Sequence, residues 1–282
     1  MEEATPGSIG GSEALGGKVR GVYQRTPRGK PSWYFRLMSS GRPQSAAVDL
    51  RERGNDAAGQ PIQLDRRLFM QLLAFHCEPG HSPAGAVENL GAGLSRHGMA
   101  GVVYEDVNQP RGLALLTFSE DPADFVRKTR VLANEVAGLV PRPELTMLGR
   151  SYATGYEQDL EFWLLRRPRE TVLNESWPWA IWYPLRRKGP FERLEPAEKG
   201  SIMREHGMIG RSYGDSDLAH DVRLACHGLD QHDNDFVIGL VGKALHPLSH
   251  VVQAMRATRQ TAEFMDQMGP FFVGHAVLRH AP

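Results

Sequence analysis

The chain has 282 residues, enough for one large domain or two modest ones with a full hydrophobic core. Its 41% apolar and 23% charged residues are ordinary for a globular protein, and 33 basic residues balance 33 acidic ones. That balance offers no overall attraction to nucleic acid or anionic lipid, so neither is expected as a partner. Two cysteines, Cys77 and Cys226, make no disulfide framework. No apolar run approaches the about 20 residues that span a bilayer, and the start of the chain lacks a secretory pattern. The expected location is the cytoplasm.

Residues 1–17, rich in Gly, Ser and Glu, read as a disordered tail. Short strands are expected at Val19–Tyr23 and Trp33–Met38, and a loop over 39–64. Leu68–Phe75 reads as a strand buried on both faces. Residues 83–97 place Ala86, Leu90 and Leu94 at helical spacing and stop at Gly98. Val102–Tyr104 and Leu113–Phe118 form a hairpin across Asn108–Gly112. A helix over Ala123–Val136 and a strand at Leu145–Leu148 complete the order β-α-β-β-α-β, the ferredoxin-like unit.

The order then recurs. Trp179–Tyr183 is a strand, Pro196–His206 a helix, Val222–Cys226 and Phe236–Val241 a hairpin, Leu248–Thr261 a helix, and a last strand begins at Phe271. The first helix of each copy ends in similar words, Arg96-His97-Gly98-Met99 and Glu205-His206-Gly207-Met208. The expected architecture is therefore α+β, two fused ferredoxin-like units with antiparallel sheets in tandem repeat. The divisions are a tail over 1–17, an N-terminal unit over 18–160 and a C-terminal unit over 161–282. The second copy is longer between its two helices, which leaves room to build a site.

Ile202, His206 and Ile209 share one helical face. A histidine in such a stripe is ordinarily a core residue, yet this one is accompanied by Tyr183-Pro184, the basic run Arg186-Arg187-Lys188, and Gly269–Gly274. A metal-ligating imidazole must be neutral, rigidly held and bonded through its other nitrogen. Glu205 lies off the face and cannot supply that bond. Elsewhere, His76, Cys77 and His81 lack a fourth zinc ligand. Asp230, Asp233 and Asp235 lack the spacing of a calcium loop. No phosphate-binding loop or nucleophile elbow is present.

Tyr-Pro followed by basic residues, the run Glu205–Tyr213, Gly228-Leu229-Asp230 and Phe271-Phe272-Val273-Gly274 come in an order that resembles the chlorite dismutase superfamily. Within it, the resemblance is nearest to the coproheme decarboxylases of bacterial haem synthesis. It covers about residues 65–280 and implies two ferredoxin-like units per subunit in a homopentamer. It also implies a peroxide-dependent enzyme that converts coproheme III to haem b. Carried over by residue, His206 matches the proximal iron ligand and Tyr183 the redox-active tyrosine beside the reacting propionate. Arg187, Arg169 and Thr261 match propionate-binding positions. The family's distal residue lies thirteen positions past the proximal histidine, which is Ala219 without a gap. An insertion before the strand would make it Asp221 or Arg223, which share a face with Ala219. Chlorite dismutation, another haem-dependent oxidation, and a non-catalytic haem carrier or sensor are the alternatives that the same resemblance implies.

Overall fold

The structure is a computed structural model that describes residues 47–282. The tail 1–17 and the strands expected at Val19–Tyr23 and Trp33–Met38 lie outside the described residues. Within the stretch read as loop there is instead a small antiparallel hairpin, β1 (Glu52–Asn55) and β2 (Pro61–Leu64). Asp56 closes it: its Oδ1 accepts the N–H groups of Ala58 and Gln60 at 2.9 and 2.8 Å, while Gly59 takes φ 81°.

The first repeat begins with β3 (Phe69–Cys77) and α1 (Pro83–His97). Ser82 opens α1 by accepting the Gly85 N–H, Pro83 occupies its first turn, and Gly98 ends it in the left-handed region at φ 58°. The hairpin β4 (Gly101–Asp106) and β5 (Gly112–Ser119) follows, then α2 (Arg130–Glu135), entered through a π-helical turn at Phe125–Thr129. Two short strands, β6 (Leu139–Pro141) and β7 (Met147–Arg150), replace the single one expected at Leu145–Leu148. Pro143 starts a 3-10 turn between them.

A helix that the sequence did not announce joins the repeats: α3 (Arg167–Leu173), preceded by a π-helical turn at Phe162–Arg166. Pro168 lies in its first turn, where the missing N–H costs nothing. The second repeat comprises β8 (Trp179–Arg187), α4 (Pro196–Asp215), β9 (His220–Ala225), β10 (Phe236–Gly242), α5 (Leu245–Arg256), α6 (Arg259–Phe264), β11 (Met265–Met268) and β12 (Phe272–His280). Two expectations are corrected here. Helix α4 continues past His206 to Asp215, because Ile209 and Tyr213 prolong the stripe of Ile202 and His206 and outweigh the glycines. The helix expected over Leu248–Thr261 is broken at Thr258, whose backbone is extended (ψ 151°) and whose hydroxyl bonds the Met255 carbonyl at 2.7 Å.

Strand order is β7-β3-β5-β4 in the first repeat and β12-β8-β10-β9 in the second, each the ferredoxin-like arrangement. Pairing of β4 with β12, and of β7 with β9 at Arg150 and Ala225, joins the two sheets into one closed barrel. Closure leaves no unpaired edge around that ring. Residues 50–282 accordingly form one compact unit, and the two repeats share its interior. Among the described residues no helix is long and apolar enough to cross a membrane.

Leu72, Leu116, Trp182, Leu224 and Phe272 fill the barrel. The Trp182 indole lies over Gly239 of the neighbouring strand, and a Cβ there would meet the ring at 2.5 Å. Gly239→Ala is expected to destabilise the fold by about 1–3 kcal/mol, measured by urea unfolding, because a rigid indole in a filled barrel cannot yield cheaply.

The helices cover the outside of the barrel unequally. Helix α1 buries Ala86, Leu90, Gly91, Gly93 and Leu94 against its sheet. Helix α4, with 20 residues, buries only Ile202. The first repeat has a closed helix–sheet layer, and the second has one held open.

Candidate functional site

The open layer is floored by the outer face of the second sheet. Side chains alternate along a strand, so Trp182 enters the barrel while Ile181, Tyr183 and Leu185 face α4 and α5. The register places Tyr183 beside Ile238 and Ile238 beside Arg223, one row across three strands. The next row is Ile181, Leu240 and Asp221. Ile209, Phe236, Met255, Met265, Met268 and Phe271 line the surroundings and are only partly buried.

His206 enters this space from α4. Its Nδ1 lies 3.4 Å from Thr258 Oγ1, a long hydrogen bond. The Thr258 hydroxyl donates its own proton to the Met255 carbonyl, so its lone pairs accept from Nδ1–H and Nε2 is left with a free lone pair. Burial, reinforced by the positive charges of Arg187 and Arg223, lowers the imidazole pKa to about 4. The ring is therefore neutral at physiological pH, the form that binds a metal. Glu205 is turned away and accepts the Arg259 N–H at 3.1 Å. His97, in the matching word of the first repeat, is instead beside Glu135 at 3.2 Å.

Arg187 supplies the main electrostatic feature. Its guanidinium is sandwiched between Phe191 and Phe236, 4.7 and 4.5 Å from the ring centroids. Its Nε is buried without a hydrogen-bond partner, and among the described residues no carboxylate lies within ion-pairing distance of the side chain. Burial lowers its pKa. The carboxylates of Glu192 and Asp235 act on it only from beyond ion-pairing distance, and a planar carboxylate is the natural complement of such a half-buried guanidinium.

Tyr183 is buried and stacks on Phe271, with ring centroids 4.6 Å apart. Its hydroxyl makes no hydrogen bond to the described residues, and burial, with the Asp221 charge nearby, pushes its pKa up. Thr261, whose hydroxyl is 3.4 Å from that of Thr258, lines a cavity of about 370 Å³ with Arg256, Met265, Asp266, Gln267 and Met268.

The remaining expected residues are placed differently. Ala219 is buried just ahead of β9, its N–H directed to the Tyr213 carbonyl. Asp221 and Arg223, rather than Ala219, carry charge within reach of His206. Arg169 faces Glu120 at 3.5 Å, a carboxylate that Arg66 already holds at 2.8 Å. His206, Tyr183, Arg187 and Arg223 thus come together, and Arg169 does not join them.

Thr258 and Tyr152 were not anticipated. Tyr152, just after β7, has its ring 5.6 Å from that of Phe236 and lies in the field of Arg187 and Arg223. Nothing local to either residue marks it in the sequence.

Residues 111–277 match the family model described as chlorite dismutase, and the chain belongs to that family, which includes haem-dependent enzymes. Among solved structures, a haem-binding protein from Thermus thermophilus is similar at 18% identity, TM-score 0.60, over 75% of this chain and 91% of that one. A mutant chlorite dismutase from Candidatus Nitrospira defluvii is similar at 13% identity, TM-score 0.60, over 76% of this chain and 93% of that one. At these identities the likeness is one of fold. No curated protein matches the chain.

Proposed function

We propose that the chain is a haem-dependent oxidoreductase that converts coproheme III to haem b with hydrogen peroxide, by two oxidative decarboxylations. The observation that carries the reading is Arg187, a half-buried guanidinium with no ion-paired carboxylate among the described residues, in the same chamber as a neutral histidine and a phenol that makes no hydrogen bond to those residues. This donor set fits an iron porphyrin bearing carboxylate side chains. His206 Nε2 would hold the iron, and Arg187 and Thr261 would hold propionates. Of the three candidates on the sheet face, Arg223 is the cation that would be available to a ligand of the bound group.

The bound iron porphyrin would supply both oxidising equivalents of one peroxide for each propionate, the peroxide leaving as water. The rest falls to the chain's own residues. Arg187 orients the substrate through charge-assisted bonds, and the apolar surroundings of Ile238, Met255 and Phe271 limit water. Tyr183 gives up its phenolic hydrogen and recovers one from the reacting propionate. Loss of that hydrogen atom and one further electron turns the propionate into a vinyl group and carbon dioxide. The subunits are proposed to assemble as a homopentamer, which sedimentation of the purified chain would test.

Purified protein mixed with coproheme III and peroxide, with product mass as readout, tests the reading. Loss of two carboxyl groups supports it. Tight binding without conversion would favour a carrier or sensor. Oxygen release from chlorite would favour chlorite dismutation, the reading for which Arg223 offers a cation on the sheet face.

Two substitutions probe binding. Arg187→Met is expected to weaken coproheme III binding by about 1.5–3 kcal/mol in an optical titration, the contribution of one charge-assisted bond. A larger loss for coproheme III than for haem b would place Arg187 on a propionate that is removed. Thr258→Val keeps shape but removes the acceptor for His206 Nδ1–H, and haem affinity is expected to fall roughly 10–100-fold.

A further inference from the structure

Among the described residues, the hydrogen bond that the Arg187 guanidinium makes goes to a thioether: its Nη2 lies 3.8 Å from Met203 Sδ. Phe191 and Phe236 cover the two faces of the guanidinium. An acceptor therefore reaches it through its edge, and Met203 stands at the Nη2 end of that edge. Thioether sulfur is a weak acceptor, so the contact leaves the guanidinium open to a better one.

Met203 belongs to α4, three residues before His206, so the two side chains lie on the same side of the helix. It is half-buried and open to small solutes. Other methionines differ in one respect or the other. Met70, Met99 and Met147 are sealed in the core at 1–2% exposure. Met208, on the same helix, is 68% exposed but makes no polar contact with an arginine among the described residues.

We propose that Met203 is a site of reversible sulfoxidation that controls carboxylate binding at Arg187. The sulfur lone pair attacks one oxygen of hydrogen peroxide, an S–O bond forms and the O–O bond breaks. The proton of the transferred hydroxyl passes to the departing hydroxide, which leaves as water. Sulfur loses two electrons and peroxide gains them. The sulfoxide oxygen, a strong acceptor one bond beyond the sulfur, can close the 3.8 Å gap to an ordinary hydrogen bond of about 2.9 Å. Arg187 then has an internal partner that a substrate carboxylate must displace. Reduction by methionine sulfoxide reductase restores the thioether and the open guanidinium. The inference rests on the haem reading and deepens it: peroxide is the co-substrate there, and peroxide in excess of porphyrin would close the site to porphyrin.

The test uses the full chain, free of porphyrin, treated with dilute hydrogen peroxide. One portion is digested and mapped by mass spectrometry, and another is titrated optically with coproheme III. Met203 is expected to gain one oxygen while Met70, Met99 and Met147 do not. Coproheme III affinity is expected to fall roughly tenfold, the size of one charge-assisted bond, and to recover after methionine sulfoxide reductase. Met203→Leu should bind coproheme III equally well before and after peroxide. Arg187→Leu should bind weakly from the start and lose nothing further, since the two residues act as a pair.

Three results would each overturn the inference while leaving the haem reading intact: Met203 unoxidised where Met208 is converted, a loss of affinity that persists in Met203→Leu, or an equal further loss in Arg187→Leu. Failure of the untreated wild-type chain to bind coproheme III would overturn the haem reading, and this inference with it.

Discussion

His206→Ala is expected to abolish or greatly weaken haem uptake, while His97→Ala leaves it unchanged. The two histidines occupy equivalent words in the two repeats, yet their surroundings differ. His97 sits beside Glu135 on a helix packed tightly against its sheet, with no open layer for a ligand. His206 is half-buried over an open chamber, neutral, and oriented through Thr258. Loss of the ligand itself should exceed the roughly 10–100-fold penalty for loss of an outer partner. His97→Ala should cost about 0.5–1.5 kcal/mol of stability, the contribution of its hydrogen bond to Glu135. Titration of each variant with haem, followed by absorbance, decides the matter. Equal losses in the two variants would sink the assignment.

Tyr183→Phe is expected to separate turnover from binding. The substitution deletes one oxygen and retains the stack on Phe271. The hydroxyl has no hydrogen-bond partner among the described residues, so fold and porphyrin affinity should change by less than the about 0.5–1.5 kcal/mol of a typical hydrogen bond. Conversion of coproheme III to haem b should fall by orders of magnitude, because a phenyl ring has no labile O–H. Near wild-type conversion by this variant would refute the tyrosine mechanism. A carrier or a chlorite dismutase would give the hydroxyl no special role, so a selective loss of turnover counts against both.

Much of the fold could be read from periodicity. The apolar run at β3, the spacing of Ala86, Leu90 and Leu94, and the alternation through β9 are local patterns whose periods identify helix or strand. Alternation also placed Asp221 and Arg223 on one face before the neighbours of that face were known. Where reading failed, competing local signals were at work. No element is expected from the sequence at α3, which opens with Pro168 in its first turn, where proline is accommodated. The glycines after His206 read as a stop, but the stripe through Ile209 and Tyr213 carries α4 onward. Thr258 reads as helix interior, and its hydroxyl takes the Met255 carbonyl instead.

By itself the sequence determined the tandem β-α-β-β-α-β order, the helical face that carries His206, and the strand that carries Tyr183. These depend on spacings within one element, which chain geometry dictates. Only the tertiary structure decided that the two sheets close into one barrel, that the first helix layer is sealed and the second open, and that Thr258 serves His206 from 52 positions away. It also decided the fate of each arginine: Arg169 turns to Glu120, Arg223 is tied to Asp221, and Arg187 makes no ion pair with a carboxylate of the described residues. The reason is physical. Which charges are compensated depends on groups brought together from distant parts of the chain, and no local period encodes those distances.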